Sequence, residues 1–248
     1  MFKGFYNLTS AMLTHQQNLN VIANNLVNIS TAGFKQDRYT ATTFDDVMYS
    51  RVGDLFSSGQ EIGRQSYIRA VSETYTDFTQ GAPEPTNLSL DFCIVGDGFF
   101  AIRDEDGEIG YTRMGNFALD DEGYLCLQGF GRVLDPEGQD IYLGTDKITG
   151  DKNGQIFYNG GLIGRLGVYR FEDNGELEFN DRGLFTGEGA QASENFDIWH
   201  GYLERSNTDM VKQMTEMITY QRALQSAAQV TKMYDQLMNR AATDVGRM

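Results

Sequence analysis

The chain has 248 residues, 40% of them hydrophobic, and a formal net charge of −15, which supports one large domain or two modest ones with true cores and excludes a disordered chain. The acid surplus leaves no basic face for phosphates, so nucleic acid is not expected as a partner. No run approaches 18 consecutive apolar residues, so no direct membrane insertion is expected, and the N-terminus lacks the continuous apolar stretch of a cleaved signal peptide.

The charge is unevenly spread. Residues 1–38 carry +2 and residues 201–248 carry +1, so residues 39–200 hold −18. An acidic, well-solvated middle with near-neutral ends follows, and such ends can pack against copies of themselves with little repulsion.

In chain order, the first predicted element is a helix from Phe5 to Asn28. Leu8, Met12, His15, Leu19, Ile22, Leu26 and Ile29 alternate by fours and threes, a heptad seam with His15 as its polar break. Ser30-Thr31-Ala32-Gly33 reads as the stop, with Gly33 able to take the left-handed cap conformation and Phe34 following as an anchor. Asn24, Asn25 and Asn28 cluster at the end of this helix. They serve either as local caps or as a polar register device between packed subunits.

Residues 35–90 show no clear period and are expected to be an extended connector. From Phe92 to Phe185 the chain breaks into short apolar runs. Between them lie the turns Asp106-Gly107, Glu122-Gly123, Glu137-Gly138, Asn153-Gly154, Asn174-Gly175 and Arg182-Gly183, the chemistry of tight hairpins. An all-β domain over 91–202 is expected. Cys93 and Cys126 sit among apolar neighbours and read as small core residues. The acidic run Asp104-Glu105-Asp106-Gly107-Glu108 departs from the spacing of an EF-hand loop and reads as a hairpin turn.

The last element is a long helix from about Asn207 to Ala242, capped by Asn207 or Asp209. Met210, Met214, Met217, Gln221, Leu224 and Ala228 continue a four-three spacing, which then drifts to Tyr234, Leu237 and Ala241 as in a stutter. The fold class is therefore α+β: an all-β, hairpin-rich domain inserted between N- and C-terminal helices that pair in a coiled-coil-like discontinuous domain (1–34 and 203–248). Paired helices with narrow seams are the mark of an assembling subunit. Its candidate interface residues are Leu19, Ile22, Asn24, Asn25, Leu26, Asn28, Gly33, Phe34, Met214, Met217, Gln221 and Leu224.

Catalysis is not expected. His15 and His200 are the only histidines, Cys/His metal spacings are absent, and no P-loop, Gly-x-Ser-x-Gly or dinucleotide fingerprint is present. No cofactor, metal site or catalytic residue is assigned. The rival reading is a β-domain module that binds peptide or glycan at a strand edge and carries helical oligomerisation ends.

Residues 17–35, QNLNVIANNLVNISTAGFK, resemble the N-terminal signature of flagellar rod and hook proteins. Gly201-Tyr202-Leu203-Glu204-Arg205-Ser206-Asn207, with Met217-Ile218 and Gln221-Arg222-Ala223, resembles the C-terminal one. Gly96-Asp97-Gly98-Phe99-Phe100 and Tyr111-Thr112-Arg113-Met114-Gly115-Asn116-Phe117 are similar to the family's β domain. The resemblance implies a basal-body rod subunit of proximal or distal type, outside the cytoplasmic membrane. It also implies export through the flagellar type III apparatus without a cleaved signal. Such a subunit polymerises with itself and with other rod and hook axial proteins into a helical tube that transmits torque from motor to hook. The helices are expected to gain order on assembly, where burial between subunits offsets the entropy of ordering them.

Overall fold

A computed structural model describes residues 2–43, 47–51, 60–65, 69–104, 106–172, 177–180, 183–193 and 196–246. The chain divides into two compact units. Met1–Leu26, Asp37–Tyr75 and Asp209–Met248 form the first; Val27–Gln36 and Thr76–Thr208 form the second.

The first unit is built on two helices, α1 (Phe2–Val27) and α2 (Met210–Val245). Their 26 and 36 residues correspond to lengths of about 39 and 54 Å. Asp209 caps α2: its Oδ1 accepts from the N–H of Val211 at 2.9 Å and of Lys212 at 3.2 Å. Asn207, the other candidate cap, has a different role, described below. The helices pair antiparallel. Gly4 lies against the Tyr234 hydroxyl, the Thr231 hydroxyl meets Met12 Sδ at 3.9 Å, and the His15 and Tyr220 rings stand 5.7 Å apart.

On α2 the inward face runs Gln213, Met217, Tyr220, Leu224, Ala227, Thr231, Tyr234, all buried or half-buried. That is one unbroken heptad, so the stutter expected from the apolar pattern is absent. Met210, Met214 and Gln221 lie on the exposed side. The pattern misled because polar Gln213, Tyr220 and Thr231 fill inner positions while methionines crowd the outside.

The stretch expected as an extended connector holds paired strands. Asp37–Thr43 pairs with Arg69–Thr76, and Val47–Arg51 pairs antiparallel with Gln60–Gln65. Thr40, Thr42, Thr43, Val71 and Tyr75 provide β-propensity there without the alternation that would have announced it. Asp54–Gly59, within that stretch, lies outside the described residues.

Apart from a 3₁₀ turn at Asn28–Ser30, the regular structure of the second unit is β. Its main sheet is organised by Phe99–Arg103, which pairs with Ile109–Thr112 on one side. On its other side it pairs first with Val168–Arg170 and then with Gly131–Val133. Phe99 to Ile102 are all buried, because alternate side chains enter two cores. Phe100 and Ile102 pack with Phe92, Phe117, Leu125 and Ile156; Phe99 and Ala101 pack with Tyr111, Phe171 and Phe185.

The turn chemistry behaves as the sequence suggests. Gly107, Gly123, Gly138 and Gly154 all have positive φ, between 76° and 89°. The acidic run is a hairpin turn, with Asp104 N–H donating to Glu108 O and Gly107 N–H to Asp104 O, both at 2.9 Å. Glu105, the Asn174-Gly175 turn and Arg182 lie outside the described residues. Cys93 and Cys126 are free thiols. Among the described residues no helix is long and apolar enough to cross a membrane.

Candidate functional site

Within the second unit, the segment that follows α1 and the segment that precedes α2 are tied to the β domain at one buried junction. Lys35 Nζ lies 2.5 Å from Glu204 Oε1, and Arg113 Nη1 lies 3.4 Å from Glu204 Oε2. Lys35 and Glu204 are each 1% exposed and Arg113 is 4% exposed, counting side chains alone. Lys35 also donates to Thr79 O at 2.9 Å, and Arg113 to Gly96 O at 2.8 Å. The remaining capacity of Glu204 Oε1 accepts from Gly81 N–H at 2.8 Å.

Burial lowers the affinity of Lys35 for its proton, and the Glu204 carboxylate opposes that shift. Burial likewise lowers that of Arg113, again opposed by Glu204. Burial, and next the Glu204 charge, push the nearby Cys93 thiol up to about 11.

The backbone around these charges is pinned as well. Gly33 takes φ 68° and its N–H donates to Glu204 O at 2.7 Å. A Cβ at Gly33 would overlap the Arg113 carbonyl, so a left-handed conformation and a close approach both demand glycine there. Asn207 Oδ1 accepts from Gln36 N–H at 2.8 Å while its Nδ2 donates to Asp77 O at 2.7 Å. Asn207 is thus a bracket between three segments rather than a helix cap.

The expected interface residues fall into two groups. Ile22, Asn25, Gly33 and Phe34 are buried within the chain. Asn25 grips the backbone of Asp37 twice: its Oδ1 accepts from the N–H at 2.9 Å and its Nδ2 donates to the carbonyl at 2.8 Å. Leu19, Leu26, Asn28, Met217 and Leu224 are half-buried, and Asn24, Met214 and Gln221 are exposed.

Outside α2, Val211, Met214, Ile218, Gln221, Gln225, Gln229, Met233 and Leu237 follow one another at three- and four-residue steps, and all are exposed. None of these eight carries a charge, although exposed Arg222 and Lys232 lie beside them on the same face. Val211 is absent from the sequence reading, and Ile218 stands there only within the C-terminal signature, because the seam follows the methionines. Lys35, Arg113 and Glu204 stood within the quoted signatures, but nothing in their spacing revealed that they meet.

The rival reading requires a receptive surface on the β domain. An open groove of about 1050 Å³ is lined in part by Arg103, Asp120, Cys126, Arg132 and Asp140. Both of its arginines are already paired. Arg103 pairs with Asp140 at 2.6 Å, and Arg132 pairs with Asp120 at 2.8 Å and with Glu122 at 2.6 Å while lying over the Tyr124 ring.

Three family descriptions match along the chain. Residues 5–35 match flagella basal body rod protein, residues 93–158 match the flagellar hook protein FlgE/F/G D1 domain, and residues 200–244 match the flagellar basal body rod FlgEFG protein C-terminal region. Among curated proteins, the chain is 31% identical to the flagellar basal-body rod protein FlgG of Bacillus subtilis, over 96% of this chain and 97% of that protein. It is 30% identical to FlgG of Caulobacter vibrioides, over 92% and 94%. It is 28% identical to the flagellar basal-body rod protein FlgF of the same organism, over the whole of both chains.

Proposed function

The chain belongs to the flagellar basal-body rod protein family and is a structural subunit of that rod, and from that premise we propose that it joins its neighbours through the outward faces of its terminal helices. It resides in the flagellar basal body and associates with other rod and hook proteins. The observation that carries the proposal is the uncharged, exposed stripe on α2, which continues on the side of the helix that α1 leaves uncovered. Exposed Asn24 and half-buried Leu19, Leu26 and Asn28 are the contribution of α1 to the same contacts.

On this reading Met214, Ile218 and Gln221 meet a neighbouring copy, and Met217 and Leu224 hold the helix pair that presents them. Burial of the stripe stabilises the tube by roughly 25 cal/mol per Å² of apolar surface. The tube transmits torque by rigidity and performs no chemistry. The chain reaches its place through the flagellar type III apparatus without cleavage of a signal.

The test is Ile218→Asp, introduced in the bacterium that makes this chain. The variant should fold, by its circular dichroism, and should be missing from isolated basal bodies. Wild-type incorporation of the variant would end the proposal.

A further inference from the structure

On the β domain, the chain's single tryptophan faces outward. The strand Asp197–His200 buries Ile198, and Trp199 is 37% exposed. Its ring stands edge-on to that of Tyr202, with centroids 5.2 Å apart. Tyr202 in turn sits opposite Pro85 in the ladder between Tyr202–Glu204 and Pro83–Pro85, a strand whose residues are all exposed. Leu88, 61% exposed, follows directly, since the amides of Thr86 and Asn87 both donate to Gly201 O. Trp199, Tyr202, Pro85 and Leu88 thus form an apolar, aromatic surface on a domain that is otherwise strongly acidic.

Tryptophan and tyrosine are the residues around which interface energy concentrates. What covers this surface is decided by charge. Residues 39–200 carry −18, whereas residues 201–248 carry +1 and their stripe on α2 carries no charge. A second β domain is repelled; the helical end of another copy is not.

We propose that the Trp199–Tyr202 surface of one copy receives the α2 stripe of a second copy, at Val211, Met214 and Ile218. This rests on the reading of the stripe as an assembly surface and adds its receptor. The two surfaces differ, so the contact is heterologous: each copy offers one and accepts the other. Such a contact propagates into an open helical array rather than closing as a dimer.

The experiment uses the full chain in its own bacterium, with Cys126→Ser as background and the buried Cys93 retained. The paired variant Leu88→Cys with Met214→Cys, oxidised in isolated basal bodies, should yield a covalent ladder of dimers, trimers and higher species. Each single cysteine should leave monomers. Dimers from Leu88→Cys alone would mean that β domains face each other, and absence of any ladder from basal bodies that contain the paired variant would mean that the surfaces do not meet; either result overturns the proposal.

In parallel, Trp199→Ala should reduce incorporation at least about tenfold while the purified variant keeps its fold, and Trp199→Phe should recover part of the loss. Normal incorporation of Trp199→Ala beside failure of Ile218→Asp refutes the receptor and leaves the stripe standing. Normal incorporation of both refutes the stripe as well.

Discussion

Among the described residues, Glu204 is the one carboxylate bonded to two buried cations, and its removal should be far more damaging than removal of either cation. Glu204→Ala strands Lys35 and Arg113 together in a site from which water is nearly excluded. Breaking a buried ion pair in this way costs about 3–5 kcal/mol. Gly81 N–H also loses its acceptor, a further desolvation cost of about 1–3 kcal/mol that overlaps with the first. Against a typical domain stability of about 5–15 kcal/mol, a loss of around 4 kcal/mol brings the domain close to unfolding.

Lys35→Met behaves differently. It leaves Arg113 and Glu204 as a balanced pair and forfeits mainly the hydrogen bonds to Glu204 and Thr79, for about 1–2 kcal/mol. Glu204→Gln separates shape from charge, because its amide oxygen can still accept from Gly81 N–H. It should fall between the other two. The assay is urea unfolding followed by the emission of Trp199, which lies in the same unit. A Lys35→Met loss equal to or larger than that of Glu204→Ala would refute the charge argument.

Further expectations concern neighbouring parts. Gly33→Ala should cost at least about 2 kcal/mol in the same urea assay, from left-handed strain plus overlap with the Arg113 carbonyl, whereas Gly107→Ala, with open space around it, should cost about 1 kcal/mol. Asn25→Asp keeps the acceptor for Asp37 N–H but turns a second oxygen toward Asp37 O; a loss of about 1–3 kcal/mol should appear as a lower melting temperature at 222 nm. The Cys93 thiol is raised from 9.0 to about 11. Between those values the unfolded chain releases this proton and the folded chain retains it, so stability falls as pH rises, by about 2–3 kcal/mol at most, and Cys93→Ala should remove that part of the slope. In hydrogen exchange on the monomer, the amides of Gly33, Gln36 and Arg205 should be protected with the β domain, while those of α1 and α2 exchange faster; uniform protection from 2 to 246 would contradict helices that order on assembly.

Much of the architecture is legible in the sequence because local chemistry dictates it. The heptad of Leu8, Met12, Leu19, Ile22 and Leu26 needs one apolar face and no more. The hairpins of the β domain announce themselves through Gly residues that alone tolerate positive φ without cost. The strands over 37–76 are less legible, since Thr and Tyr there carry propensity without alternation. On α2 the register is ambiguous for a physical reason: the helix packs against its own chain on one side and bears exposed Val211, Met214, Ile218, Met233 and Leu237 on the other, so both sides read as apolar. Periodicity then reports the sum of two stripes, and methionines outside outweigh Gln213, Tyr220 and Thr231 inside.

The junction is hidden for a different reason. Lys35, Arg113 and Glu204 are separated by 78 and 91 positions, and no local pattern encodes their meeting. A buried cluster of this kind adds little stability over a well-packed apolar one. What it does add is exclusivity: Glu204 can satisfy its carboxylate only if the segment after α1, the strand bearing Arg113 and the segment before α2 all arrive together. An apolar junction would tolerate slippage of any of the three, because one methylene serves much as another. A junction with a single satisfied arrangement fixes these three segments in one register within the second unit. The charges are therefore better read as setting geometry than as holding the domain together, which is why a neutral substitution at Glu204 that preserves folding should still impair incorporation into the rod.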